Sequence, residues 1–348
     1  MMPTSATIAE IARQAGVGTA TVDRVINGRS GVHADTVLKV MKIIDRTGSS
    51  APVRGRPRRR DNLRLAFVLP ADNTPFLDLV ERQIALLASD FRHQHITEIT
   101  HRLDATDPAA FALALSDTIS AGQFDGVALL APDLPAVKLA INSLVRAGVH
   151  VVTLLSDVAG SKREVYIGAD NRAAGRTAGL LLGRMAGHPG RSSVLLASQA
   201  TRLSGEIERR IGFAQVIEER FAHLNVLRKP DLPTDDAGAQ AVLCDWLSTH
   251  CDTSTLAGIY NVGAGSAGVV RALQALNLSS QVPVIAHDFT DAHRSLLGVD
   301  QLAYVLDQNI HYCILSAAKV LQALCENVRG AIRATPPRLD ILTAENLH

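Results

Sequence analysis

Residues 7–48 read TIAEIARQAGVGTATVDRVINGRSGVHADTVLKVMKIIDRTG, and their pattern begins with a predicted helix. Thr7 and Glu10 have the spacing of a capping box, in which both side chains satisfy backbone amides at a helix start. The helix is expected to end at AGVG, because Gly16 suits a left-handed turn. The stretch therefore opens with a short helix and a tight turn.

Two further helices follow from the apolar spacing. One is predicted from about Thr19 to Asn27, with Gly28 ending it, and the other lies within residues 32–48, with Gly48 as its stop. The side chains expected to share the interior are Ile8, Ile11, Ala12, Val22, Val25, Ile26, Val37, Val40, Met41 and Ile44.

Two short helices joined by a glycine-containing turn, with a third packing helix, form a helix-turn-helix unit. The second helix of such a unit enters the major groove, where Arg24 can pair with guanine and Ala20 can touch a thymine methyl. An ordinary small helical bundle fits the same pattern. The residues assigned to DNA on this helix and just after it are Thr19, Ala20, Thr21, Asp23, Arg24, Asn27 and Arg29.

The segment TIAEIARQAGVGTATVDRVINGRSGV, residues 7–32, resembles the DNA-binding domain of the lactose/galactose repressor family. The usual pattern of that family is T-I-x-D/E-V/I-A-x-x-A-G-V-S-x-x-T-V-S-R-V-L-N-G. The resemblance implies a sequence-specific transcriptional regulator, usually a repressor, that binds a near-palindromic operator in double-stranded DNA as a homodimer.

Two positions depart from the family pattern. Gly18 stands where the family usually has a capping serine, and Asp23 stands where it usually has another serine. A carboxylate facing phosphates repels DNA unless it accepts from cytosine N4 or pairs with Arg24. The preferred interpretation is an Asp23–Arg24 pair that orients the arginine, so that Asp23→Ser mainly raises affinity for all DNA.

Charge is concentrated at the start of the chain. Residues 1–61 hold 11 Lys/Arg and 5 Asp/Glu, a net +6, whereas the remainder holds 24 against 29, a net −5. This asymmetry indicates that only the N-terminal part meets a polyanion.

The tract RGRPRRR, residues 54–60, replaces the hinge helix that the family usually carries after its third helix. Pro52 and Pro57 make a helix unlikely there. Arg54 and Arg56 are expected to contact the minor groove at an A·T-rich operator centre, since R-G-R-P is also the core of AT-hook peptides. A flexible basic linker that touches only phosphates is the alternative.

The rest of the chain alternates apolar runs with helical patterns, which predicts an open, doubly wound parallel α/β body in two lobes. The predicted strands are 63–70, 125–132, 149–157, 192–198, 256–263 and 282–288. The predicted helices are 76–94, 108–122, 135–147, 173–187, 205–221, 237–250 and 266–276. Ligands of such sheets bind at the carboxyl ends of the strands.

Patterns for other chemistry are weak. GAGSAG, residues 263–268, contains G-x-G-x-x-G but reads better as a helix start packed on the sheet. The four cysteines lack metal-ligand spacing, and no secretory signal or bilayer-spanning run is visible. We therefore expect a cytoplasmic non-enzyme without cofactor, metal or membrane partner.

The body resembles the type I periplasmic sugar-binding fold that this family carries as its sensor. The similar segments are YIGADNRAAGRTAGLLLGR (166–184), ERRIGF (208–213), IYNVGAGSAGVVRAL (259–273), VIAHDFTD (284–291) and YVLDQN (304–309). The implied effector is a sugar or polyol bound between the lobes.

Strand ends and the resemblance together supply the candidate ligand residues. Phe76 is an aromatic platform in the family pattern, and Arg209 donates to ligand oxygens. Asp170 and Asn171 fit a helix N-cap as well as they fit a ligand contact. Arg209 can also be a surface arginine. The residues assigned to the effector are Asn73, Phe76, Ser156, Asp157, Arg209, Asn261, Asp288 and Gln308.

The predicted organisation has three parts: a DNA-binding domain (1–48), a basic linker (49–62) and an effector-binding domain (63–348). The expected lobes are about 63–165 with 309–330, and about 166–308 with 331–348. The leading function is an effector-controlled DNA-binding regulator. A solute-binding protein for a sugar transporter is the alternative, and a nucleotide-cofactor enzyme is a distant third.

Overall fold

The structure is a computed structural model that describes residues 7–26, 32–46, 62–187, 190, 192–229, 231–326, 328 and 335–347. The chain divides into two compact units, Met1–Asn62 and Leu63–His348. The division falls at the predicted end of the linker, and each unit has its own core.

The first unit contains three helices: α1 (Ile8–Ala15), α2 (Thr19–Ile26) and α3 (Ala34–Arg46). Thr7 caps α1 as predicted, with its hydroxyl accepting from the Glu10 amide at 3.3 Å. The reciprocal half of the capping box is replaced, because the Glu10 carboxylate accepts from Arg13 at 2.6 Å and from Gln14 at 3.1 Å. Gly16 has φ 67°, the left-handed turn that its position predicts.

A small apolar core joins these three helices. Its fully buried members are Ile11, Ala12, Ala15, Val22, Val25, Val40 and Ile43. Ala15 and Ile43 are members that the sequence pattern did not predict, while Ile8 and Val37 pack at the edge. The side chains of Ile26, Met41 and Ile44 lie outside the described residues.

The second unit begins with a five-stranded, wholly parallel sheet in the order β2-β1-β3-β4-β5. Its elements are β1 (Leu63–Pro70), α4 (Pro75–His93), β2 (Ile96–Leu103), α5 (Pro108–Gly122), β3 (Gly126–Leu129), α6 (Pro135–Arg146), β4 (His150–Leu154) and β5 (Val165–Ile167). A late helix, α12 (Ile310–Cys325), packs on this sheet. We call this assembly the N-lobe.

A second sheet follows in the order β11-β10-β9-β8-β6-β7, parallel except for β11. Its elements are α7 (Asn171–Met185), β6 (Ser193–Ala197), α8 (Ser204–Arg220), β7 (Asn225–Lys229), α9 (Asp236–His250), β8 (Leu256–Asn261), α10 (Ser266–Ala275), β9 (Val284–His287), α11 (Asp291–Gly298), β10 (Tyr304–Asp307) and β11 (Asp340–Leu342). We call this assembly the C-lobe. Strand β5 stays in the N-lobe sheet until Ile167, two residues beyond the predicted change of lobe.

Two helices of the C-lobe pack unusually closely because glycines face each other's backbone. A Cβ on Gly175 of α7 would lie 1.9 Å from the Arg209 carbonyl oxygen, and one on Gly212 of α8 would lie 2.1 Å from the Arg172 carbonyl oxygen. Only glycine fits at such distances, so these two positions fix how near α8 lies to α7. That spacing in turn fixes the position of Arg209.

Candidate functional site

A cavity of about 580 Å³ lies between the carboxyl ends of the strands of the two lobes. In parallel α/β sheets, ligands bind at this edge, in the crevice outside the carboxyl ends of the strands. We call this cavity the cleft. Six of the eight predicted effector residues lie on its walls: Asn73, Phe76, Ser156, Arg209, Asp288 and Gln308.

Arg209 is the central charge of the cleft. Its side chain is only 7% exposed, so it is not the surface arginine that the sequence left open. Its Nη1 lies 3.5 Å from Asp288 Oδ2. Desolvation lowers the pKa of Arg209, but the charges of Asp288 and of the other acidic groups around it together outweigh this effect, so the pKa lies above the ordinary value. The guanidinium is therefore a permanent cation at the cleft wall.

Asn171 holds this guanidinium in place. Arg209 Nε donates to Asn171 Oδ1 at 2.7 Å, and Asn171 Nδ2 donates to the Tyr166 hydroxyl at 3.1 Å. Of the Asp170–Asn171 pair, Asp170 is the residue that caps helix α7, since its carboxylate accepts from the Ala173 amide at 2.9 Å. Asn171 itself points inward and orients Arg209.

Asp288 and Gln308 form the second polar group of the cleft. Gln308 Nε2 donates to Asp288 Oδ1 at 2.7 Å, which leaves Gln308 Oε1 buried without a hydrogen-bond partner among the described residues. Asp288 has φ 65°, a left-handed conformation in which its amide donates to the Leu306 carbonyl at 2.9 Å. The turn after β9 thereby directs the Asp288 carboxylate toward Arg209.

Two predicted effector residues are not on the cleft wall. The Asp157 carboxylate accepts from Arg163 and from the Thr153 hydroxyl. Burial raises the pKa of this carboxyl, but the hydrogen bonds and the charge of Arg163 together lower it by more, so the pKa lies below its ordinary value. Asn261 Nδ2 donates to the Ala264 carbonyl and to Ser266 Oγ, both at 2.9 Å. Their side chains bind nearby parts of the chain, which sequence spacing does not reveal.

The sequence reasoning missed further polar residues of the cleft, and four of them show which signals were available. Gln199 and Thr201 follow β6, Glu206 lies on α8 and His293 lies on α11. Gln199 comes directly after a predicted strand, so its place at a strand end was a usable signal. Glu206 lies three residues before Arg209, a spacing that puts both on one helix face.

The glycines of the GAGSAG motif serve close packing. A Cβ on Gly263 would lie 1.9 Å from Gln199 Oε1, and one on Gly268 would lie 2.2 Å from the Asp236 carbonyl oxygen. Gly265 has φ 75° and precedes α10. The helix start therefore packs closely on α9, while Val269 and Val270 share a core with Ile259 of β8 and Val284 of β9, so the motif needs no dinucleotide to explain it.

The candidate DNA-binding face belongs to α2. Thr19, Ala20 and Arg24 are exposed, whereas Thr21 and Asp23 are half-buried. Four residues predicted to contact DNA lie outside the described part of the chain: Asn27, Arg29, Arg54 and Arg56. A cap serine would fit at residue 18, because a Cβ there meets nothing within 4 Å.

Within the described residues, no helix is long and apolar enough to cross a membrane. The same residues contain no group of three or more His, Cys, Asp or Glu side chains that could hold a metal ion. All four cysteines are free thiols.

The fold and the cleft define a bilobed ligand-binding domain preceded by a helix-turn-helix unit. The chain belongs to the periplasmic binding protein domain family, whose model matches residues 65–328. The model for bacterial regulatory proteins of the lacI family matches residues 7–48. These matches confirm the fold class and the family resemblance that the sequence predicted.

Curated relatives match over parts of their length. Catabolite control protein A of Streptococcus mutans is 28% identical over 123 residues, 35% of each chain. The transcriptional regulator MalR of Streptomyces coelicolor is 51% identical over 51 residues, 15% of each chain. The chain thus aligns with about a third of the first relative and less of the second.

Solved structures share the fold at low identity. A glucose-galactose binding protein of Geobacillus stearothermophilus has a TM-score of 0.70 at 17% identity, covering 82% of this chain and 99% of that one. A solute-binding protein of Burkholderia graminis, solved with D-arabinose, has a TM-score of 0.72 at 20% identity, covering 82% and 96%. A LacI-type regulator structure from Bacteroides fragilis has a TM-score of 0.70 at 19% identity, covering 82% and 98%.

Proposed function

We propose that this chain is a DNA-binding transcriptional regulator whose affinity for its operator is controlled by a small sugar-like ligand in the cleft. The proposal rests on one observation. The same chain contains a helix-turn-helix unit and a cleft with a buried Arg209–Asp288 pair. A repressor acting as a homodimer on a near-palindromic operator follows from this class of protein.

The cleft walls suit a hydroxylated ligand. Arg209 offers donors and the Asp288 carboxylate offers acceptor positions, while Phe76 lies half-buried at the start of α4 as an apolar platform. Gln308 Oε1 has no partner among the described residues, and an unpaired buried acceptor favours a ligand that donates to it. The cavity volume is that of a small-molecule site.

The two lobes give the ligand a way to act on DNA. A ligand that contacts both cleft walls favours the closed arrangement of the lobes over an open one. If the two arrangements hold the DNA-binding units of a dimer differently, ligand and operator become thermodynamically coupled. Induction or co-repression then depends on which arrangement binds the operator.

The test is selection of duplexes from a random library with the full chain, followed by titration of the selected duplex at several salt concentrations. We expect a sequence preference, with an affinity that falls as salt rises. Arg24→Ala should reduce that preference, and Lys42→Ala, at an exposed position of α3, is the matched loss of one charge. Salt-dependent binding without sequence preference would contradict a sequence-specific regulator.

A further inference from the structure

Glu206 is an acid of the cleft that the proposed function does not use. It lies on α8 one turn before Arg209 and lines the cavity. Its Oε2 is buried and has no hydrogen-bond partner among the described residues. A buried acceptor without a partner is costly, so this atom favours a ligand that donates a hydrogen bond to it.

The arginines near Glu206 do not neutralise it. Arg209 is bound to Asn171 at 2.7 Å and lies 3.5 Å from Asp288, while Arg210 Nη1 donates to Ser198 Oγ at 3.4 Å. Burial raises the pKa of Glu206 to about 7, with a further rise from Asp288, against the lowering effect of both arginines and of a hydrogen bond from the Thr201 side chain. The Arg209–Asp288 pair is balanced within itself, so Glu206 remains as a poorly compensated acid.

The cleft histidines supply no positive charge either. Desolvation lowers the pKa of both His287 and His293, so both rings are neutral near pH 7. His293 Nδ1 donates to the Asp288 carbonyl at 2.6 Å, which leaves Nε2 of the neutral ring as an acceptor. Gln308 Oε1 is a further acceptor on the walls of the cavity that Glu206 and His293 also line.

We propose that the ligand of this cleft is a sugar or polyol carrying one amino group, with its ammonium against Glu206. An ammonium supplies three donors and no acceptor, which matches walls of this kind, and its charge compensates the surplus acid. A neutral hydroxyl supplies one donor and no charge. The inference rests on the proposed function, since it names the chemical class of the ligand.

The test compares amine and hydroxyl forms of the same carbon skeleton by calorimetry on the full chain at pH 7.5. The probe pairs are D-glucosamine with D-glucose, D-galactosamine with D-galactose, and D-glucamine with D-sorbitol. We expect the aminated member of at least one pair to bind about tenfold or more tightly than its partner. Equal or tighter binding of the hydroxyl member in every pair, or no binding of any aminated probe, overturns the proposal.

Variants separate the charge of Glu206 from its shape. Glu206→Gln should weaken the preferred amine about tenfold or more and change the hydroxyl partner by less than about twofold. Glu208→Gln is the matched control, because Glu208 lies on the same helix and pairs with Arg172 at 2.5 Å outside the cleft walls. If Glu206→Gln weakens both members of a pair equally, Glu206 has only a structural role and the proposal is wrong.

A pH profile adds a readout that a structural role would not produce. D-Glucamine carries an alkyl amine that stays protonated near neutrality. Its affinity should therefore rise with pH through about 7 as Glu206 ionises, and Glu206→Gln should flatten the rise. The other charged or titratable groups that face Glu206 are Arg209, Arg210, Asp288 and Tyr260.

Measuring DNA binding on the same preparations distinguishes a failure of the ligand proposal from a failure of the proposed function. The same preparations are titrated with the selected duplex. If operator preference persists while the amine preference fails, the ligand class is wrong and the regulator stands. If operator preference is absent, the regulator is wrong whatever the cleft binds.

Discussion

Neighbouring residues at the start of α7 have separable roles. Asp170 caps the helix, whereas Asn171 accepts from Arg209 and takes no place on the cleft wall. A side chain that positions a ligand-binding group can be tested without touching the ligand. Substitutions at these two adjacent positions should therefore affect different properties, ligand affinity at Asn171 and stability at Asp170.

Asn171→Leu should weaken ligand binding by about 10- to 100-fold, because a buried arginine without its acceptor loses a fixed orientation. Asp170→Ala should instead lower the free energy of unfolding by ~1 kcal/mol and leave ligand affinity nearly unchanged. Calorimetry with the best-binding probe and urea unfolding measure the two effects. Equal loss of affinity in both variants would contradict a positioning role for Asn171.

Glu206 also makes a prediction about stability in the absence of ligand. Its pKa is raised from 4.5 to about 7 in the folded state, so the folded chain binds more protons than the unfolded chain between these values. Stability from this group is therefore present below about pH 4.5 and is lost as the pH rises through 7, by about 3 kcal/mol at most.

Glu206→Gln should be more stable than the wild type at pH 8, and the difference should shrink toward pH 5. Urea unfolding followed by the fluorescence of Trp246, the one tryptophan of the chain, reports the C-lobe. His287 and His293 act in the opposite direction, since a lowered histidine pKa makes stability rise with pH, so the wild-type minus variant difference is the quantity to compare. A difference independent of pH would refute an ionisable, buried Glu206.

At the scale of elements, the glycine contact between α7 and α8 leaves no room for a larger side chain. Gly212→Ala places a Cβ against the backbone of α7 and should lower the free energy of unfolding by ~2 kcal/mol, despite the better helix propensity of alanine. Gly187→Ala is the control, because its Cβ would meet its nearest neighbour at 3.8 Å. Urea unfolding of both variants through Trp246 fluorescence checks this, and similar values for the two would contradict it.

The sequence predicted the buried elements best. Strands such as β1 are apolar on both faces, and this continuous pattern is visible in the residues themselves. Strand β2 was missed because only Ile96 of its eight residues is fully buried at the sheet edge. Helix α12 was also missed, although its apolar residues are no more evenly spread than those of the predicted helices α5 and α9.

The cleft was predictable where a side chain ends a buried strand. Asp288 illustrates this, since it follows β9, whereas Gln308 was assigned through the family resemblance because β10 was not among the predicted strands. Asp157 and Asn261 have the same kind of position but bind their own loops, and that choice depends on partners such as Arg163 and Ser266. Strand ends therefore identify the edge of the sheet but not the direction of each side chain.

At the scale of the whole molecule, any coupling between ligand binding and DNA binding must be reciprocal. If the ligand changes operator affinity by some factor, operator DNA must change ligand affinity by the same factor. For the proposed regulator we expect a factor of about 5–150, measured by titrating ligand into the free chain and into the chain saturated with the selected duplex. Identical ligand affinities in the two titrations would mean that the cleft does not control DNA binding.

Helix α12 comes late in the chain, yet it covers the first sheet to be synthesised. Ile310, Ile314 and Leu321 are buried in the same core as Leu65 and Phe67 of β1. A nascent or truncated chain that stops before Ile310 therefore exposes this apolar sheet, although the three helices of residues 8–46 are already complete. Such fragments should aggregate or require chaperones, because the N-lobe core is completed only when α12 has been synthesised.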